Sequence, residues 1–329
     1  MQRRSFLTAT AGGFALAATG PSAFAQATDW PAAKPITYVV PFTAGGSTDV
    51  VGRTVSEKLQ AALKQTVVVD NKPGQGGAIG ASFVAKSPAD GYTLFGGTIS
   101  THAINASLYK NLSYDPVKDF EPVCLVAYLP NVLLVDPSLG VNSVAELIAL
   151  LKKDEKKRTF ASSGAGTSTH LAGEMFADLI GVPLAHIPYK GTPPAMVDVS
   201  SGQVTFMFDQ MTAALPLLQA GKLKLLAVTT GQRIALSPNT PTMIEAGVPG
   251  FEMSSWQAIY APKGTPKPIV QRLYTEIAKA LKMPDVVAKL HGQLGMEIAA
   301  GSPEELAALM AREIPRWAAL VKKSGASAS

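Results

Sequence analysis

An α/β fold in two domains, built on a parallel sheet with crossover helices, is what this sequence predicts, and three features predict it. Apolar runs of strand length alternate with segments whose apolar residues recur at helical spacing. Twice, at Gly45-Gly46 and at Gly164-x-Gly166, a glycine loop rich in hydroxyl residues joins such a run to such a helix. The chain has 329 residues, 47% of them hydrophobic, enough for two cores at ~100–200 residues per domain. In sheets of this kind ligands gather at the strand carboxyl ends.

Residues 1–25 read as an export signal, opening with Arg3-Arg4-Ser5-Phe6-Leu7 and closing on Ala23-Phe24-Ala25, a small-x-small cleavage site. The arginine pair resembles a twin-arginine signal, with ordinary secretory export as the alternative. A periplasmic protein beginning near Gln26 is expected. No other apolar run approaches ~20 residues, so no membrane-spanning helix is expected. The net charge of +5 falls to 27 − 24 = +3 once Arg3 and Arg4 are removed, and no basic run is interleaved with aromatics. Nucleic acid is therefore not an expected partner.

The first domain is expected to take residues 26–128. Ile36 to Val40 reads as a strand, followed by the loop Pro41-Phe42-Thr43-Ala44-Gly45-Gly46-Ser47-Thr48-Asp49 and a helix carrying Val51, Val55, Leu59 and Leu63. Such a loop suits an anion. A helix start has N–H groups without partners and about half a positive charge, and glycine lets a ligand approach the backbone. Val67 to Asp70 is a second strand, Ala78 to Lys86 a short helix, and Tyr92 to Gly96 a third strand running into Gly97-Thr98. Two apolar runs, Pro122 to Ala127 and Asn131 to Val135, flank Leu129-Pro130, read as the crossing into a second domain at 129–252.

There Ser143 caps a helix over Ala145 to Lys152, and Thr159 to Ser163 is a strand. It leads into Gly164-Ala165-Gly166-Thr167-Ser168 and a helix with Leu171, Met175 and Leu179, repeating the opening arrangement. Further strands are Ala185 to Pro188, Val204 to Phe208 ending at Asp209, and Leu223 to Val228. Residues 253–329 return to the first domain through a strand from Ser254 to Ala261 and a helix with Ile269, Leu273, Ile277 and Leu281. Ser302-Pro303-Glu304-Glu305 is a capping box that opens a last helix, which Pro315 is expected to kink.

The chemistry of an enzyme is not found. There is no Gly-x-Ser-x-Gly elbow, no Walker loop and no third glycine after Gly164-x-Gly166, where Thr169 stands. The four histidines lack metal spacing and Cys124 is the single cysteine, so neither a metal nor another cofactor is expected. His102 and His170 adjoin the suspected ligand loops, but packing is the plainer role for both. Asp49 and Arg53, four apart, form an ion pair at a helix start. Asp209, at a strand end, either caps its loop or meets an amine, a hydroxyl or a bridging water of the ligand.

Six motifs stand in one register: Pro41-Phe42-x-x-Gly45-Gly46-x-x-Asp49, Asp90-Gly91-Tyr92-Thr93, Asp119-Phe120-x-Pro122-Val123, Ser163-Gly164-x-Gly166-Thr167, Pro188-Tyr189-Lys190-Gly191 and Pro262-x-Gly264-Thr265-Pro266. In this order the chain resembles the Bug receptors, extracytoplasmic solute-binding proteins associated with tripartite tricarboxylate transporters. The resemblance implies a two-domain periplasmic-binding-protein fold, type II-like, with a ligand cleft between the domains. It further implies a small organic carboxylate held partly through water by Phe42, Thr43, Ala44, Gly45, Gly46, Ser47 and Asp49 and by Ser163, Gly164, Gly166, Thr167 and Ser168. Thr98 and Asp209, at strand ends, complete the expected site. The partners implied are the membrane subunits of such a transporter or, alternatively, a sensor protein.

Overall fold

A computed structural model describes residues 30–324. The expected export signal, the start near Gln26 and the tail 325–329 lie outside the described residues. The chain opens with β1 (Ile36–Val40), α1 (Ser47–Leu63), β2 (Val67–Asn71), α2 (Ala78–Ala85) and β3 (Thr93–Thr98). A π-helical turn at Ser100–Ile104 leads to the short α3 (Asn105–Leu108) and then to β4 (Phe120–Val135). Next come α4 (Val144–Lys153), β5 (Thr159–Ser162), α5 (Ser168–Ile180), β6 (Ala185–Pro188), α6 (Thr192–Ser200), β7 (Phe206–Gln210), α7 (Met211–Gln219) and β8 (Lys224–Val228). The return is β9 (Ser254–Pro262), α8 (Lys267–Leu281), α9 (Pro284–Val287), β10 (Glu297–Gly301) and α10 (Pro303–Ser324).

These strands form one sheet in the order β2-β1-β3-β9-β4-β7-β5-β6, with β10 and β8 also paired to β4. It is parallel at both ends, where β1 pairs β2 and β3, and β5 pairs β6 and β7. Antiparallel β9 and β4 join the two halves. Here the structure departs from the sequence reading, for β4 is one strand and not two runs broken at Leu129-Pro130. Up to Pro130 it pairs with β9, and from Asn131 onward with β7 and β8. Proline brings no N–H, so it is tolerated at the point where the strand changes partners.

α1 and α8 cover one face of the first half, their apolar stripes (Val51, Val55, Leu59; Leu273, Ile277, Leu281) closing on Tyr38, Val40 and Ile259. A second core runs without a break from Phe95 and Phe120 through Trp256 to Phe160, Phe206 and Phe208, with Trp317 of α10 in it, so the halves share packing on that face. α10 begins with the capping box, Glu305 N–H donating to Ser302 Oγ and Ser302 N–H to Glu305 Oε2. It then continues through Pro315 to Ser324 as one helix. Among the described residues no helix is long and apolar enough to cross a membrane.

Candidate functional site

The loop after β1 turns on Gly45, whose φ of +85° suits glycine. Its N–H donates to Asp49 Oδ2 at 2.9 Å, an oxygen that also accepts from Arg53 Nε at 2.9 Å. Asn71 Nδ2 donates to Asp49 Oδ1 and to the Phe42 carbonyl, both at 3.0 Å. Burial alone would push the Asp49 carboxyl up, but the Arg53, Gly45 and Asn71 bonds outweigh it and hold it below the usual value. Asp49 thus pins the loop so that α1 starts at Gly46 without any side-chain cap. The first-turn N–H groups are left for another acceptor.

The second loop is braced differently. Thr167 caps α5, accepting from His170 N–H and donating to the Gly164 carbonyl at 2.7 Å, while Ser163 N–H donates to Thr169 Oγ1. Gly166 N–H donates to His170 Nδ1 at 3.3 Å. Ser168, the first residue of α5, faces the other half: its N–H donates to Ser100 Oγ at 3.1 Å and its Oγ lies 3.1 Å from Ser255 Oγ.

Between the loops is a narrow cleft with a cavity of about 30 Å³. The first half contributes Phe42, Gly46, Ser47, Thr48, Thr98 and Ser100, the second Ser163, Ser168, Thr192 and Gln210. Ser255, Trp256 and Gln257 of β9 lie between them. Among the described residues no charged side chain lines it, so negative charge is met there by backbone N–H groups, hydroxyls and amides. The halves touch across it, with Ser47 Oγ donating to Gln210 Oε1 at 3.4 Å and Tyr109 Oη to the Ala165 carbonyl at 2.8 Å.

Of the site residues expected from sequence, Phe42, Gly46, Ser47, Thr98, Ser163 and Ser168 are brought together in the lining. The others lie elsewhere. Ala44 and Gly45 are exposed, the Asp49 carboxylate is occupied by its three donors, and Thr43 packs against Gly191. Gly166 and Thr167 shape and cap their loop, and Gly164 lines an adjoining cavity with Gly76 and Tyr109. Sequence reasoning missed Ser100, Thr192, Gln210, Ser255 and Gln257 as a group. For Ser255 and Gln257 the available signal was their alternation on β9, which without a fold reads as a solvent face.

Asp209 is fully buried beneath the cleft, accepting from Thr192 Oγ1 and from Gln210 N–H, both at 2.7 Å. Burial pushes its carboxyl up to about 7, with those two bonds only partly opposing the shift. The unfolded value is about 4, so between about pH 4 and 7 the folded chain binds the extra proton and stability falls as pH rises. Melting curves should therefore show the wild type losing a few degrees relative to Asp209→Asn across that window. A difference independent of pH would refute the assignment.

His102 is a core residue, stacked on Tyr260 with centroids 3.7 Å apart and driven down to about 3 by burial. His170 and His186 stack at 3.9 Å, with His186 Nε2 against Ser162 Oγ. Burial likewise pushes the Cys124 thiol up to about 12, against the reactivity of a nucleophile. No group of metal-ligating side chains occurs among the described residues.

The family model of the tripartite tricarboxylate transporter family receptor matches residues 51–326. Protein BugT of Bordetella pertussis is 39% identical over 315 residues, covering 95% of this chain and 96% of its own length. Rpa4515 of R. palustris, solved with adipate, is 41% identical with a TM-score of 0.87, the match covering 91% of this chain and 99% of that one. MatC from Rhodopseudomonas palustris, solved with bound malate, is 34% identical with a TM-score of 0.84 and coverage of 88% and 99%. The periplasmic binding protein BugD superposes with a TM-score of 0.86 at 40% identity. The α/β architecture and its cleft are those of periplasmic binding proteins, which bind solutes and are not enzymes. By sequence and by fold alike, this chain belongs to the tripartite tricarboxylate transporter receptor family, the Bug receptors.

Proposed function

We propose that the protein captures a small dicarboxylate between the two halves of its sheet, in the periplasm, and delivers it unchanged to the membrane subunits of a tripartite tricarboxylate transporter. The observation that carries this reading is the pair of helix starts, Ser47 of α1 and Ser168 of α5, that reach one cleft from opposite halves without a charged side chain between them. The uncapped first turn of α1 offers backbone N–H groups, the Ser168 hydroxyl stands at the start of α5, and the helix dipole favours an anion at each. The malate and adipate carried by the similar structures add support. In this reading the domains run from 26 to 128, 129 to 252 and back from 253. Hinge motion then falls where β4 changes partners and where the chain enters β9.

Thermal-shift screening of short dicarboxylates tests the capture step. Stabilisation grows as RT ln(1 + [L]/Kd), about 2.7 kcal/mol at a hundredfold excess over Kd, so a binding diacid should raise the melting temperature by several degrees. No shift with any carboxylate, confirmed by calorimetry, would reject the reading. Uptake by cells should end when the protein is deleted; uptake that persists would reject the delivery step.

A further inference from the structure

We propose that the ligand carries a hydroxyl beside its carboxylates, and that Gln257 is the residue that reads it. The inference rests on the carboxylate reading above and narrows it to a hydroxy-dicarboxylate.

Side chains alternate along a strand, so Ser255 and Gln257 share the cleft face of β9, while Trp256 turns to the opposite face and packs into the core. At the other lining amide both polar atoms have a partner: Gln210 Oε1 accepts from Ser47 Oγ, and Gln210 Nε2 donates to Ser255 Oγ at 3.3 Å. Ser255 Oγ in turn donates to Asn131 Oδ1 at 3.0 Å. Gln257 differs. Its Nε2 donates to Thr48 Oγ1 at 3.3 Å, which ties it to the start of α1, but its Oε1 is buried with no donor. The residue is only 5% exposed, so bulk water does not serve that oxygen.

An amide carbonyl only accepts. A ligand carboxylate placed against it meets repulsion, and a methylene leaves it unsatisfied. A hydroxyl on the ligand gives it a donor. An ammonium would do so too, but it would enter a cleft with no carboxylate in its lining. The two acids next in sequence to lining residues are already engaged: Asp49 accepts from Gly45, Arg53 and Asn71, and Asp209 is fully buried and holds Thr192. An uncharged hydroxyl is therefore the donor this site matches. Discrimination is set by the cost of leaving the buried oxygen unpaired, moderated where a water can stand in for the missing group.

The test is calorimetry on matched pairs of plain and 2-hydroxy dicarboxylates of four, five and six carbons, with the four-carbon 2-amino acid as a third arm. At the chain length that binds, the hydroxy acid is expected to bind about tenfold or more tightly than the plain acid, about 1.4 kcal/mol. In Gln257→Met that preference should vanish, the hydroxy acid losing about tenfold more affinity than the plain acid. Equal affinities in the wild type, or a preference for the plain or amino acid, overturn this inference and leave the carboxylate reading standing. A preference that survives in Gln257→Met overturns the role of this residue. Failure of every dicarboxylate to bind overturns both readings. The wild-type comparison decides even where the variant does not fold.

Discussion

A compact dicarboxylate is expected to bind about a hundredfold more tightly than its monoamide. The two helix starts belong to different halves, and a ligand with an anion at each end can engage both and hold the cleft shut. A helix end contributes ~0.3–2 kcal/mol to a nearby anion, and a hydrogen bond to a charged group about 1.5–3 kcal/mol. Converting one carboxylate to an amide removes the charge from one end while keeping the shape. The loss is then on the order of 2.7 kcal/mol, or a hundredfold. Ser168→Ala should weaken the diacid about tenfold with little change in melting temperature, because the Thr167 cap of α5 is left intact. Titration calorimetry on the two ligands and the two proteins measures this. Equal affinity for diacid and monoamide would mean that one loop alone grips a carboxylate and the other meets a neutral end.

The second large effect is a wedge. Gly76, in the loop between β2 and α2, has φ +57°, and a Cβ built on it would lie 2.5 Å from the Ala165 carbonyl oxygen of the other half and 3.3 Å from Tyr109 Oη. A carbonyl in a braced loop cannot swing aside like a flexible side chain, so the halves must separate. Asparagine tolerates the left-handed region better than other side chains, which keeps backbone strain small in Gly76→Asn. If the wedge lowers the closed fraction to about one in a hundred, the apparent Kd rises a hundredfold by that alone. The expected result is loss of binding by about that factor, a melting temperature within a few degrees of wild type, and a larger radius of gyration in small-angle scattering. Gly140→Asn is the control, for its φ is +78° and nothing lies within 4 Å of the added atom. Normal ligand affinity in Gly76→Asn would show that this approach of the two loops is no part of closure.

What the sequence determined by itself is local. The strand, glycine loop and helix at Gly45-Gly46 and Gly164-x-Gly166, the Ser143 cap and the Ser302–Glu305 box all stand where the pattern puts them, because caps and periodicities act over three or four residues. The short helices α6 and α7 were not legible, since prolines at 193, 194 and 216 obscure a weak periodicity. The edge strand β10, built of small residues, gave no alternation to read. Tertiary structure alone decided that β4 is continuous, since only the change of partner from β9 to β7 makes Pro130 harmless. It alone also decided the chemistry of the cleft. Gln257 meets Thr48 across 209 residues of chain and Ser47 meets Gln210 across 163, and no local pattern encodes such encounters. The Asp49 and Asp209 carboxylates make the same point: one is held charged by Arg53, Gly45 and Asn71, the other is pushed up to about 7 by complete burial. Residue type is the same in both, and the difference is the solvent and the donors that folding removes or supplies.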